Sequence, residues 1–294
     1  MSLFKGSAVA IVTPFHSDGS VNFEKLTELV EWQIAKKTDA IVACGTTGEA
    51  STLKDEEHLA VIGHCVKVVA GRVPVIAGTG SNDTLHGIEL CKGAEELGAD
   101  ALLCVTPYYN KPTQKGLIVS FSAMADAVNI PMILYSVQGR TGVNIEPSTV
   151  QELSQHPRIA GIKEASGNIA QVVEIARLIP KDFMLYSGND EMVLPLLSVG
   201  GHGVISVMAN IVPTETRDMV AAWHAGDFET AKNLQLNLKP LVDALFCESN
   251  PIPVKTALNL MGWEVGPFRL PLTEMADNTL ARLVNELKAY NLIA

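Results

Sequence analysis

An α/β barrel of eight strand-helix units, followed by an all-helical C-terminal extension, is the architecture this sequence predicts, and three observations predict it. Eight short apolar runs, at residues 8–12, 40–43, 74–77, 101–105, 131–135, 159–163, 183–187 and 203–207, alternate with longer amphipathic stretches. Such runs read as strands buried on both faces, and strands separated by helices read as a parallel sheet. An open doubly wound sheet would carry a dinucleotide fingerprint, but the nearest match, Gly78-Thr79-Gly80-Ser81-Asn82-Asp83, lacks the third glycine. Nicotinamide binding is therefore the weaker reading. Beyond a helix predicted at 213–225 the pattern turns to helices alone, at 228–247, 253–261 and 275–290. The expected division is a barrel over 1–225 and a helical extension over 226–294 packed against it. A length of 294 residues suits a barrel of about 250 residues with an appendix.

The first strand leads into a helix at 23–37, and the second into one at 54–70 closed by Gly71. A third helix at 84–97 is closed by Gly98, and one at 169–179 by Pro180. Glycine just past a helix accepts the left-handed turn that ends it, and proline cannot continue one.

Barrel enzymes place their chemistry on the loops after the carboxyl ends of the strands. Those ends are polar here: Thr13, Gly45-Thr46-Thr47-Gly48-Glu49, Gly78-Thr79-Gly80, Thr106-Pro107-Tyr108-Tyr109-Asn110, Tyr135, Lys163, Ser187-Gly188-Asn189-Asp190 and Ser206. Hydroxyls and one amine point at a common mouth.

Composition narrows the partners. Hydrophobic residues make up 47% and charged residues 18%, enough to bury a large core. The net charge of −10, with no basic run longer than Lys36-Lys37, argues against nucleic acid. Five widely spaced cysteines read as reduced thiols, and without CxxC or HExxH spacing no metal site is expected. The N-terminal segment lacks the pattern of a secretory signal, and no apolar run reaches about 18 residues, so a cytoplasmic, membrane-free protein is expected.

Lys163 is the sharpest chemical signal. In Ile159-Ala160-Gly161-Ile162-Lys163-Glu164 the strand alternation sends Ile162 to one side and Lys163 to the other. Facing the barrel axis, it would be desolvated in favour of the neutral amine that attacks carbonyls. The alternative is a lysine that reaches solvent or pairs with Glu164. Tyr135 ends the preceding strand and could relay protons, or be an ordinary buried aromatic. Gly45-Thr46-Thr47-Gly48 offers hydroxyls and amides suited to a carboxylate, or is a tight strand-to-helix turn. Arg140 could clamp a second carboxylate, or be a solvated loop residue.

Read together, Gly45-Thr46-Thr47-Gly48-Glu49, Thr106-Pro107-Tyr108-Tyr109, the 135–142 stretch and Gly161-Ile162-Lys163-Glu164-Ala165-Ser166-Gly167 resemble the dihydrodipicolinate synthase family. The likeness continues through Gly201-His202-Gly203-Val204-Ile205-Ser206 and Asn250-Pro251-Ile252-Pro253-Val254-Lys255 and covers nearly the whole chain. It implies a barrel lyase of lysine (diaminopimelate) biosynthesis, condensing pyruvate with L-aspartate 4-semialdehyde without metal or organic cofactor. By this resemblance Lys163 forms the imine with pyruvate, and Tyr135, Thr46 and Tyr109 form a proton relay. Tyr109 would serve the neighbouring subunit's site, which implies a homotetramer built from tight dimers. Thr47 would bind the pyruvate carboxylate and Arg140 that of the semialdehyde, while Gly188 and Ile205 present backbone groups near the lysine. Single motifs are shared with related pyruvate lyases acting on N-acetylneuraminate or 2-keto-3-deoxy sugar acids; Arg140 favours the synthase. A non-catalytic binder of 2-oxo acids would be expected to lose the lysine or tyrosine.

Two departures stand out. The family typically reads Tyr-Asn-Val-Pro where this chain reads Tyr135-Ser136-Val137-Gln138, which predicts a freer loop around Arg140 and altered selection of the second substrate. Lysine-sensitive relatives bind the inhibitor at positions matching Ala50, Ser51, Asp55, His58, Asn82, His86 and Tyr108. His86 replaces a glutamate there, which predicts weak or absent feedback inhibition by lysine.

Overall fold

The computed structural model describes residues 3–294; Met1 and Ser2, where the predicted barrel region begins, lie outside it. Eight parallel strands, β1 (Gly6–Ala10), β2 (Ala40–Ala43), β3 (Val75–Gly78), β4 (Ala101–Val105), β5 (Met132–Ser136), β6 (Ile159–Glu164), β7 (Met184–Ser187) and β8 (Gly203–Ser206), close into a barrel, because β1 pairs with both β2 and β8. Around them run α1 (Phe23–Ala35), α2 (Asp55–Val69), α3 (Thr84–Glu96), α4 (Gln114–Asp126), α5 (Gln138–Thr141), α6 (Pro147–Leu153), α7 (Ile169–Leu178), α8 (Val193–Leu197) and α9 (Pro213–His224). The C-terminal helices α10 (Phe228–Leu245), α11 (Ile252–Leu260) and α12 (Asp277–Ala289) follow.

Helix starts are set by short polar side chains. Asn22, Asp83, Thr113, Asn168 and Asp227 each accept a backbone N–H of the first turn, and each such cap stabilises its helix by about 1 kcal/mol.

Strand parity sorts the core into two layers. Ala8, Val42, Ile76, Leu103, Ile133, Tyr135, Tyr186 and Ile205 fill the barrel interior, whereas the alternate residues pack outward against the helices. Close approach explains two inward glycines: a Cβ on Gly203 would meet Gly6 O at 1.8 Å, and one on Gly161 would meet Met184 O at 2.6 Å. Tyr186 stacks on Phe4 at 4.3 Å and donates to Phe4 O at 2.8 Å, so the segment before β1 packs into the interior layer.

The first strand sits two residues earlier than the predicted 8–12. Pairing with β8 begins at Gly6, and the amide of Val12 leaves the ladder for the side chain of Asn210 at 3.1 Å. Thr13 therefore lies in the loop, where its hydroxyl donates to Gly48 O at 2.7 Å. Four cysteines are buried and Cys247 is half-buried, all as free thiols. Among the described residues no helix is long and apolar enough to cross a membrane.

Candidate active site

Tyr135, Lys163 and Tyr186 stand side by side across β5, β6 and β7, because the registers pair Tyr135 with Lys163 and Lys163 with Tyr186. Parity turns all three side chains inward. Lys163 is 5% exposed, a level at which lysine is rare, and its Nζ lies 4.3 Å from the centre of the Tyr135 ring. Space for its stem is left by Gly188, where a Cβ would sit 3.0 Å from Lys163 Cε.

Pairing with Glu164 is ruled out by parity. Glu164 faces the outer layer, where its carboxylate accepts from Ser166 N (3.2 Å) and Gln171 Nε2 (2.9 Å), and burial raises its pKa despite these bonds. Asp190 is buried nearby, and burial raises its pKa although its hydrogen bonds and the Lys163 charge act the other way. Its Oδ2 accepts from the amides of Val207 (3.1 Å) and Met208 (2.8 Å), and so ties β7 to the loop after β8.

The loop after β2 brings the two threonines to the same mouth. Cys44 takes a left-handed φ of 54° and Glu49 one of 53°. Between them Gly48 N donates to Gly45 O (3.0 Å) and Glu49 N to Thr46 O (3.1 Å). The loop can turn this sharply because β3 ends in Gly78, where a Cβ would stand 2.2 Å from Cys44 O.

A cavity of about 60 Å³ gathers Lys163, Tyr135, Thr46, Thr47, Arg140 and Gly188. The Gly188 amide donates to Glu164 O at 2.7 Å, so the group it can offer beside Lys163 is its carbonyl. Ile205 is buried in the interior layer but does not line this cavity. Arg140 lies in α5 rather than in an open loop, and its Nη2 donates to Asn250 O at 3.0 Å.

Tyr109 is not part of this assembly. It is 93% exposed, at a φ of 71°, on the loop after β4. Asn82 and Asn110 hold that loop: Asn82 Nδ2 donates to Tyr108 O (3.2 Å) and Asn110 Nδ2 to Asn82 O (2.8 Å).

Sequence reasoning assigned no role to Asn250. Its Nδ2 donates to Thr47 Oγ1 at 3.0 Å while its carbonyl holds Arg140, so one residue between α10 and α11 links the two candidate carboxylate ligands. The only signal was its place in Asn250-Pro251-Ile252-Pro253. The placement of Ser136 was also missed: its hydroxyl is buried outward, accepting from Ile145 N at 3.1 Å, and does not face the mouth.

A larger cavity of about 340 Å³ shares Thr46, Tyr135 and Arg140 with the first and extends between α2 and α3. Ala50, Ser51, Asp55, His58, His86 and Tyr108 line it, while Asn82 does not line it and instead bonds to Tyr108 and Asn110 on the loop after β4. His58 Nε2 donates to Gly78 O at 2.7 Å, and burial holds its ring below the ordinary histidine pKa. His86 bridges Asp55 Oδ1 (3.0 Å) and Ser81 Oγ (3.1 Å), so the nearest carboxylate in this region already has a partner. Among the described residues no cluster of His, Cys, Asp and Glu gathers as a metal site.

Comparison with known proteins decides the lineage. The chain matches the Dihydrodipicolinate synthetase family over residues 3–290. The chain belongs to this family. A 4-hydroxy-tetrahydrodipicolinate synthase of Thermoanaerobacter sp. (strain X514) is 57% identical over 294 residues, covering 100% of this chain and 99% of the relative. The dihydrodipicolinate synthase of Acinetobacter baumannii, solved in complex with pyruvate, is 48% identical over 98% of this chain and 99% of its own, with a TM-score of 0.96. That of Cyanidioschyzon merolae, solved with lysine bound, is 41% identical over 100% of both chains, with a TM-score of 0.97. Relatives of Acetivibrio thermocellus (57% identical) and Clostridium acetobutylicum (53%) carry the same synthase name, which supports the synthase over the sugar-acid lyases; the chain is an enzyme, a lyase of this family.

Proposed function

We propose that this chain condenses pyruvate with L-aspartate 4-semialdehyde to 4-hydroxy-tetrahydrodipicolinate, through an imine between Lys163 Nζ and the keto carbon of pyruvate. The observation that carries the reading is the buried amine of Lys163, 5% exposed and flanked by Tyr135, in a small cavity with two threonine hydroxyls.

The neutral amine adds to the keto carbon, and the carbinolamine loses one water as the imine forms. That loss needs a proton at the departing oxygen, which the Tyr135 phenol can deliver and Thr46 can pass on. Loss of a methyl proton from the imine gives an enamine, whose carbon attacks the aldehyde of the second substrate; the aldehyde oxygen takes a proton to become the hydroxyl, and the second substrate's amino group adds to the re-formed imine carbon, closing the ring and releasing the Lys163 amine. Thr47 and the neighbouring backbone bind the pyruvate carboxylate, Gly188 offers its carbonyl beside the lysine with Ile205 in the interior layer as a further backbone contributor, and Arg140 takes the second carboxylate.

Tyr109 completes the relay in the neighbouring subunit, a reading supported by its 93% exposure in the single chain. The assembly is then a homotetramer of tight dimers, in the cytoplasm, where five free thiols stay reduced and the product enters lysine (diaminopimelate) synthesis. Residues 226–294 form the helical extension to a barrel over 1–225. The cleft between α2 and α3 takes lysine weakly or not at all, because His86 presents an imidazole to the ligand's cation and also occupies Asp55.

Borohydride reduction in the presence of pyruvate, followed by peptide mass mapping, tests the chemistry. A pyruvyl adduct on Lys163 is expected, and an adduct elsewhere or none at all overturns it. Faster turnover with aspartate semialdehyde than with sugar aldehydes is the matching expectation for the second substrate.

A further inference from the structure

We infer that the buried ion pair between Glu49 and Lys255 is a positioning device, through which the C-terminal helices set the hydroxyls of Thr46 and Thr47 at the reacting amine. The inference rests on reading those threonines as pyruvate-site residues. Neither Glu49 nor Lys255 lines the cavity around Lys163, so any effect on the reaction passes through the loop.

The pair is wholly interior. Lys255 Nζ lies 2.6 Å from Glu49 Oε1, with both side chains at 0% exposure. A second donor of the ammonium goes to Pro267 O at 2.8 Å, and its charge sits 4.4 Å from the Phe15 ring centre and 5.4 Å from that of Phe268. The other carboxylate oxygen of Glu49 accepts from Arg269 N at 3.1 Å. Such a pair is a poor way to add stability, because desolvation offsets most of the attraction and apolar residues of similar volume commonly serve as well. Its strength is direction: charge and hydrogen bonds satisfied at both ends permit one orientation.

That orientation matters because of where Glu49 stands. It follows Gly45-Thr46-Thr47-Gly48 directly, and its φ of 53° is one that residues with a side chain seldom adopt without outside support. Its own N–H donates to Thr46 O at 3.1 Å, so rotation at Glu49 turns the peptide that carries the threonines. The C-terminal region reaches this segment at two further points. Asn250 Nδ2 holds Thr47 Oγ1 at 3.0 Å, and Arg269 clamps the following turn through Thr52 O (2.8 Å) and Glu57 (2.6 Å).

The test compares the full-length parent with Glu49→Gln, Lys255→Met and the double variant, reading melting temperature, kcat, pyruvate KM and borohydride trapping at Lys163. Each single change is expected to raise pyruvate KM by about 10–100-fold, as for a site whose ligands are displaced by a fraction of an ångström. The double variant leaves no buried charge unpaired, so it should regain thermal stability while keeping the raised KM. A purely structural pair would show the reverse, with KM returning to the parent value together with melting temperature. Pyruvate KM within about twofold of the parent in a folded double variant, or in folded Glu49→Gln if the double fails to fold, overturns the inference. Failure of the parent to trap pyruvate on Lys163 would instead remove the functional reading beneath it.

Discussion

Lys163 Nζ lies 4.3 Å from the centre of the Tyr135 ring, and the β5–β6 register holds the two residues side by side. An aromatic face at this distance attracts a lysine amine and holds it in place. The same tyrosine therefore steadies the lysine, and in the proposed reaction its hydroxyl stands ready to move a proton once the amine has attacked.

Tyr135→Phe keeps the ring and removes the hydroxyl. A drop in kcat of about 10²–10⁴-fold is expected, with borohydride trapping at Lys163 retained and melting temperature little changed. Lys163→Met should lose the adduct altogether. Wild-type turnover by the phenylalanine variant would take Tyr135 out of the relay.

Gln138 is the first residue of α5, a position that tolerates proline. The preceding Val137 has a ψ of 66°, and a proline after it favours a more extended angle, so α5 and Arg140 should be restricted to fewer orientations. Gln138→Pro is expected to lower semialdehyde KM about two- to fivefold, the effect of removing loop freedom worth under about 1 kcal/mol. Pyruvate trapping should be unaffected. Equal semialdehyde KM in the two proteins would show that this loop does not select the second substrate.

Lysine added to the assay should leave the rate unchanged at micromolar concentrations, because His86 and Asp55 are bonded to each other where the ligand's ammonium would need a free carboxylate. Restoring an acid with His86→Glu should increase inhibition. Strong micromolar inhibition of the parent would show that another acceptor serves.

His58 gives a pH signature in stability. Burial depresses its pKa below the ordinary 6.5, so below that pH the unfolded chain binds the proton more readily than the folded one. Its contribution is fully present above pH 6.5 and declines as the pH falls towards and through the folded pKa. Urea unfolding at about pH 8 and about pH 5 should show a larger loss for the parent than for His58→Gln, whose amide can still donate to Gly78 O. Identical losses would mean that His58 titrates alike in both states.

Local pattern was enough for the barrel and for the direction of its central side chains. Alternation along β6 turns Lys163 inward and Glu164 outward, and the polar strand ends mark the mouth, because parity and burial act over neighbouring residues. The shift of β1 was not legible, since Ile11 and Val12 are as apolar as the residues that do pair. Only the register with β8 decides where the strand begins.

What the sequence by itself determined, then, is the barrel with its C-terminal helices and the presentation of Lys163, Tyr135, Thr46 and Thr47 at one end of it. Tertiary structure alone decided how that end is held: Asn250 meets Thr47 across 203 positions, and Lys255 meets Glu49 across 206. No periodicity links residues so far apart. Their pairing follows from closing the barrel and packing the last helices over its rim, where a buried charge or amide must find whatever partner the folded chain brings to it.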